Sequence, residues 1–243
     1  MKCITVLTLY PDAFRAFMER GVVGRYIASG AVQMRVQSIR DFADPPHYKV
    51  DDYPYSNRKS MVLRYDVLQR AIHAQGASAR LIMPDPGGKV FDHRAASALA
   101  NDDEMVFISP AFEGVDARFM QTYPVDCYSM GDFIVTNGDA PVAIMVEAIL
   151  RYMPGVVGCA DCVMDDSILS GLLEFPQYCS PQVVDNRAVP DILLSGNHAA
   201  ISAWKTEQQL RRTLYMRPDL INEFPFSESL GTIIDQIVLE DTQ

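Results

Sequence analysis

The stretch that decides the fold is Leu81-Ile82-Met83-Pro84-Asp85-Pro86-Gly87-Gly88, an apolar run that ends in two prolines and two glycines. The apolar run predicts a short buried strand, and the residues after it predict a loop, because Pro and Gly interrupt regular structure. Segments of this kind alternate with helix-like segments through the first two thirds of the chain. We therefore predict an α/β fold with a mostly parallel sheet that helices cover on both faces.

The other elements follow from hydrophobic periodicity. Apolar residues at helical spacing (Val67, Leu68, Ala71 and Ile72) predict a helix that stops before Gly76. Further helices are predicted at residues 12–18, with Phe14, Phe17 and Met18 on one side, and at 95–99 and 140–152. Further strands are predicted at residues 4–9, 32–36, 105–108, 125–128 and 134–136.

Four loops rich in Gly and Pro follow these strands, at residues 84–88, 110–114, 129–133 and 137–141. Open α/β sheets bind ligands beyond the carboxyl ends of their strands, so the four loops predict one shared crevice. Taken singly, each loop is better explained as an ordinary tight turn. The first strand lacks a following GxGxxG and the chain lacks GxxxxGK[ST], which disfavours dinucleotide and P-loop binding.

Composition excludes several classes of protein. A net charge of −10 over 243 residues argues against avid, non-specific binding of nucleic acid, because phosphate contacts require Lys and Arg. Charged residues or Pro interrupt every apolar run, so no membrane span is predicted. Five dispersed cysteines favour reduced thiols and a cytoplasmic location. Cys159 and Cys162 have redox or zinc-knuckle spacing, but a second pair is missing and no metal site is predicted.

The last third of the chain differs in character, with a long helix predicted at residues 199–216. Basic residues interleaved with aromatic ones are typical of a surface that binds RNA. A solvated helical face with Trp204 packed inward explains the same pattern, and composition does not decide between the two. The residues concerned are Lys205, Arg211, Arg212 and Arg217, with Trp204 and Tyr215 among them.

Short motifs in a fixed order along nearly the whole chain resemble the bacterial tRNA (guanine-N1) methyltransferases of the SPOUT class. Each motif alone is weak, but the ordered set is specific. The motifs are Leu9-Tyr10-Pro11, Arg40-Asp41-Phe42, Val50-Asp51-Asp52, Pro54-Tyr55, Phe112-Glu113-Gly114-Val115-Asp116, Ser129-Met130-Gly131-Asp132-Phe133, Pro154-Gly155-Val156, Asp166-Ser167, Gly171-Leu172-Leu173 and Leu193-Leu194-Ser195-Gly196-Asn197-His198.

The resemblance implies a SPOUT-type parallel sheet with a deep trefoil knot, plus a small helical C-terminal domain. Residues 1–158 would form the knotted domain that binds the methyl donor S-adenosylmethionine. Residues 159–180 would form a flexible linker that carries the catalytic base, and 181–243 a helical domain that binds tRNA. It also implies a homodimer with the active site between subunits. The implied donor contacts are Pro86, Pro110, Met130, Gly131, Asp132, Phe133, Ile134, Val135, Gly138 and Pro141.

The implied reaction is methyl transfer to N1 of the guanine immediately 3′ of the anticodon. Guanine N1 carries a proton at neutral pH, so the reaction needs a base and a cation that stabilises charge at O6. The resemblance assigns Asp166 as the base, Arg151 as the O6 partner and Glu113 to the guanine pocket. On residues alone, Asp166 reads as a surface acid and Arg151 as a charge at a helix C-terminus. The need for a magnesium ion stays open.

The chain departs from the family pattern at Gln177 and Ser180, where the family has a histidine and an arginine, and at three further places: the loop at residues 56–60, Pro110-Ala111 and Asn137. In the family these three places hold a glycine-rich loop, Gly-Arg and Gly. We therefore keep two alternatives beside the methyltransferase: a divergent relative that binds S-adenosylmethionine or RNA with little or no catalysis, and an unrelated α/β enzyme of small molecules.

Overall fold

The computed structural model describes residues 1–55, 59–76, 78–156, 167–168, 171–223 and 228–241. The chain divides into two units, Met1–Gly158 and Cys159–Gln243. Asp166, the cysteine pair Cys159 and Cys162, and most of the altered loop at residues 56–60 lie outside the described residues.

The first unit is built on a five-stranded sheet in which every neighbouring pair of strands is parallel. Its spatial order is β2-β1-β6-β5-β7, and a separate antiparallel ribbon joins β3 to β4. Apolar residues dominate the inner strands because both faces of such a sheet are covered. The strands are β1 (Lys2–Thr8), β2 (Val32–Ser38), β3 (Asp51–Asp52), β4 (Val62–Leu63), β5 (Arg80–Val90), β6 (Glu104–Ile108) and β7 (Val125–Ser129).

Helices pack on both faces of this sheet, in two separate apolar clusters. One cluster joins Phe14, Leu99 and Val146, and the other joins Leu68 and Phe119. The α/β fold with a parallel sheet is thus confirmed. The helices are α1 (Pro11–Met18), α2 (Gly21–Ala28), α3 (Tyr65–His73), α4 (His93–Leu99), α5 (Ala117–Thr122) and α6 (Asp139–Arg151), with a 3-10 turn at Ile39–Phe42.

Three sequence predictions about these elements are wrong. Residues 134–136 form no strand: the chain after β7 returns to the loop after β6, where Asn137 bridges Ala111, instead of running beside a strand of the sheet. The Gly- and Pro-rich segment after Met83 is not a loop but part of β5, which continues to Val90 across a register shift between Pro84 and Lys89. Phe17 is half exposed although Phe14 and Met18 are buried, because only those two face the sheet.

The second unit is helical around a small apolar cluster of Leu172, Leu210 and Ile237. A hairpin precedes the helices, and its two turn residues, Asp185 and Asn186, have the positive φ that such turns require. The predicted helix over 199–216 is confirmed. The elements are β8 (Val183–Val184), β9 (Arg187–Ala188), α7 (Asp191–Leu194), α8 (His198–Met216), α9 (Pro218–Glu223) and α10 (Glu228–Asp241).

The described residues contain neither a candidate membrane span nor a disulfide bond. None of the helices that the structure describes combines the length and the apolar character of a membrane span. Of the cysteines within the described residues, Cys3, Cys127 and Cys179 are free thiols.

Candidate functional site

A cavity of about 390 Å³ opens at the carboxyl edge of the sheet, beyond β5, β6 and β7. All four predicted Gly- and Pro-rich segments contribute to it, as expected for the carboxyl ends of parallel strands. The lining residues are Met83, Pro84, Asp85, Pro86, Pro110, Ala111, Phe112, Glu113, Gly114, Val115, Tyr128, Ser129, Met130, Gly131, Phe133, Ile134, Val135, Thr136, Asn137, Gly138 and Pro141.

Nine of the ten residues expected to contact a methyl donor line this cavity, and Glu113 lines it too. Asp132 is the tenth residue; it is an exposed neighbour of the lining residues and is not one of them. Arg151 is the last residue of α6, whose first turn borders the cavity. A helix rises 1.5 Å per residue, so Arg151 lies about 18 Å along the axis from that first turn. One chain therefore does not bring Arg151 to the cavity.

The segment after β7 gives the cavity an irregular wall. Gly131 has a φ of 124°, a conformation that favours glycine, and directs the chain away from the sheet. Ile134, Val135 and Thr136 make no hydrogen bond with any described residue. Their backbone N–H and C=O groups have no partner among the described residues, and each such group can donate to or accept from a ligand. Ile134 is also 79% exposed, an unusual state for so apolar a side chain.

Gly138 fixes this wall against the loop after β6. Its N–H donates to the carbonyl oxygen of Pro110 at 2.6 Å, and Asn137 forms an isolated antiparallel β-bridge with Ala111. A Cβ atom on Gly138 would lie 2.4 Å from Cδ of Pro110, so only glycine fits here. Asn137 does not adopt a left-handed backbone; its side-chain oxygen instead accepts from the N–H of Asp139 at 3.0 Å.

The carboxylate of Asp139 joins three elements beneath the cavity. Its Oδ1 accepts from the hydroxyl of Thr8 at 2.6 Å and from the hydroxyl of Ser109 at 2.5 Å. Thr8 ends β1, Ser109 follows β6, and both are buried. Asp139 is the first residue of α6, where a negative charge also interacts favourably with the helix dipole. This network holds the start of α6 at the carboxyl edge of the sheet.

Asp139→Ala is expected to lower the free energy of unfolding by about 3 kcal/mol, because two buried hydroxyls lose a charged acceptor. Chemical denaturation measures the change. Asp12→Ala is the matched control: Asp12 also lies in the first turn of a helix, but its side chain is 97% exposed and its ion pair with Arg15 contributes at most about 1 kcal/mol. Equal losses in the two variants would contradict the role given to this network.

Eleven of the 21 lining residues were not predicted as site residues, and three of them have features that suit a site. Phe112 has a φ of 60°, a strained value for a bulky residue that is typical of functional sites. Tyr128 packs edge-on against Phe91, and burial, reinforced by the charge of Asp126, raises the pKa of its hydroxyl. Asp85 places a carboxylate on the cavity wall. Their strand-end positions in the sequence could have identified them, since residues there point toward bound ligands.

In the second unit, the cations of α8 are each engaged locally. Arg211 pairs with Glu207 and Glu240, and Arg217 pairs with Asp219. Arg212 donates to the carbonyl of Glu174 at 2.7 Å. Lys205 lies 4.5 Å from the ring centre of Phe175. Trp204 contacts the rings of Phe175 and Tyr178. Carboxylates of the same unit therefore pair with Arg211 and Arg217, whereas Arg212 and Lys205 contact a carbonyl and a ring and keep their positive charge.

A parallel α/β sheet with a loop-lined cavity at its carboxyl edge is the arrangement in which α/β proteins bind small organic ligands. The chain belongs to the tRNA (Guanine-1)-methyltransferase TrmD family, whose profile matches residues 1–223.

Individual relatives are similar in sequence to this chain over almost their full length. The chain is 36% identical to a tRNA (guanine-N(1)-)-methyltransferase of Proteus mirabilis (strain HI4320), covering 99% of this chain and 98% of the relative. It is 39% identical to the protein of the same name in Staphylococcus aureus (strain MRSA252), covering 96% of each chain. A Dehalococcoides mccartyi protein of that name is 34% identical over 98% of each chain.

Proposed function

We propose that this chain transfers a methyl group from S-adenosylmethionine to N1 of the guanine immediately 3′ of the anticodon in tRNA. The observation that carries the proposal is the cavity at the carboxyl edge. Nine of the ten residues expected to contact the donor line it, and the chain belongs to this family. The names of the relatives support the reaction and the class of substrate.

The residues of the cavity fit S-adenosylmethionine. Its volume lies in the range of small-molecule sites. Apolar side chains such as Pro86, Met130 and Pro141 can contact a nucleoside, and the backbone of residues 134–136 can pair with the edge of a base. No Lys, Arg or His among the described residues lines the cavity, which disfavours a cofactor that carries phosphates.

The reaction requires the protein to remove a proton from guanine and to stabilise the negative charge that develops. S-adenosylmethionine supplies a methyl group that its sulfonium already activates, so the leaving thioether needs no acid. Asp166 would take the proton from guanine N1, and Arg151 would stabilise the negative charge that develops at O6. Glu113, on the cavity wall, would hold the guanine. Binding both reactants in one orientation supplies part of the remaining acceleration.

We further propose that the active form is a homodimer. Arg151 lies about 18 Å from the first turn of its own α6, so the Arg151 that acts at one cavity would come from the partner subunit. Side chains such as Ile144 on α6 and Phe17 on α1 are apolar and half exposed, which suits burial against a second copy. A symmetric dimer would then contain two equivalent composite sites.

The remaining features of the family complete the proposal. A trefoil knot is supported by the return of the chain after β7 to the loop after β6, where Gly138 bonds to Pro110. Residues 181–243 would bind tRNA, with residues 159–180 as a flexible linker that carries Asp166. The reaction would take place in the cytoplasm, where tRNA is modified, and a magnesium requirement is a variable of the assay.

The test is transfer of labelled methyl from S-adenosylmethionine to an unmodified tRNA transcript with guanine 3′ of the anticodon, with and without magnesium. A transcript in which that guanine is replaced is the control. Label on the first transcript alone is the expected result. Donor binding without label on either transcript would contradict the reaction and favour a relative that binds without catalysis.

A further inference from the structure

The charge of the cavity wall suggests how it distinguishes two closely similar ligands. Asp85 and Glu113 are acidic lining residues, and the described lining residues include no basic side chain. Tyr128, the other ionisable group with an acidic proton on the wall, has a pKa that burial raises, so it stays neutral near pH 7. The ionised side chains among the described lining residues are therefore both acidic.

Asp85 is held in a defined position on that wall. Its Oδ1 accepts from the backbone N–H of Gly87 at 2.7 Å, which closes a local turn. Prolines on either side, Pro84 and Pro86, restrict the backbone because their rings fix φ. The side chain is half buried, so its charge is less screened by water than that of a surface carboxylate.

We propose that Asp85 is a specificity-determining residue that makes the cavity prefer S-adenosylmethionine over the product S-adenosylhomocysteine. This inference rests on the proposed function. The two ligands share the adenosine, the amino group and the carboxylate, and they differ by one methyl group and the positive charge of the sulfonium. A fixed carboxylate interacts alike with the ammonium and carboxylate groups that both ligands carry, but it gains an additional attraction from the sulfonium charge that only the donor has. Asp85 thereby promotes exchange of spent product for fresh donor after each transfer.

The experiment is calorimetric titration of the full chain with each ligand, for the wild type and for Asp85→Asn. The substitution removes the charge but keeps an oxygen that can accept from Gly87, so the turn is retained. We expect the affinity for S-adenosylmethionine to fall about tenfold, equivalent to about 1.4 kcal/mol, and the affinity for S-adenosylhomocysteine to change less than about twofold. Asp103→Asn is the control, since Asp103 is 91% exposed and precedes β6 at the opposite edge of the sheet. It should change neither affinity.

Each outcome decides a different point. If the wild type binds neither ligand, the proposed function itself is wrong, and the inference fails with it. If the wild type binds both ligands and Asp85→Asn weakens both equally or neither, the proposed function stands and the role of Asp85 is wrong. If Asp85→Asn does not fold, the salt dependence of the wild type decides. High salt should then weaken binding of the charged donor more than that of the product, and equal slopes would overturn the inference.

Discussion

Asp166→Asn is expected to lower the rate of methyl transfer by about a hundredfold to ten-thousandfold, the usual contribution of a general base. The amide cannot take the proton of guanine N1, but it has nearly the same shape as the carboxylate. The described residues that line the cavity all belong to the first unit, so the affinity for S-adenosylmethionine should stay within about twofold. Single-turnover methylation of tRNA, beside calorimetric titration of the donor, measures both quantities.

The pH dependence of the residual rate provides a second readout for Asp166. Guanine N1 loses its own proton as pH rises, so the slow variant should gain activity with pH more steeply than the wild type. Asp165→Asn is the control, because it removes an equal charge from the adjacent position. A normal rate in Asp166→Asn, or an equal loss in Asp165→Asn, would show that Asp166 is not the base.

Gly138→Ala is expected to abolish measurable donor binding and to destabilise the first unit by about 1–3 kcal/mol, the usual cost of forcing an extra methyl into a packed site. The new Cβ would meet the backbone nitrogen and ring of Pro110, which cannot move without opening the cavity wall. Thermal unfolding and donor titration measure the two effects. Methyl transfer should fall with donor binding because the same wall would hold the donor.

Gly231→Ala is the matched control for this substitution. Gly231 lies within α10, where a Cβ meets nothing within 4 Å, so alanine should leave donor binding unchanged and stabilise the helix by up to about 1 kcal/mol. Normal donor affinity in Gly138→Ala would show that the contact with Pro110 does not shape the site.

Co-expression of Gly138→Ala with Asp166→Asn connects the two predictions through the proposed homodimer. In a mixed dimer, one site would combine an intact donor cavity with an intact Asp166 from the partner subunit. We expect the mixture to recover about a quarter of the wild-type activity, since half of the dimers are mixed and one of their two sites is intact. No recovery would place both groups in the same chain.

The sequence by itself determined the class of fold and the family. Apolar runs such as those of β1 and β6 alternate with amphipathic helices such as α3. This pattern predicts whether a segment forms a strand or a helix, because it depends on the local backbone geometry alone. The positions of the Gly- and Pro-rich segments also predicted the edge where a ligand binds, because parallel strands end together. The ordered motifs gave the same family that the comparison over residues 1–223 shows.

Only the tertiary structure decided what each loop residue does. The β-branched residues at 134–136 satisfy a strand pattern locally, yet they line the cavity because the chain after β7 returns to the loop after β6, where Asn137 bridges Ala111. Thr8, Ser109 and Asp139 are far apart in sequence and meet only because β1, β6 and α6 pack together. Likewise, Arg211 of α8 pairs with Glu240, a partner that periodicity does not reveal. Local pattern encodes local geometry, whereas hydrogen bonds and ion pairs between distant residues depend on how the finished elements pack.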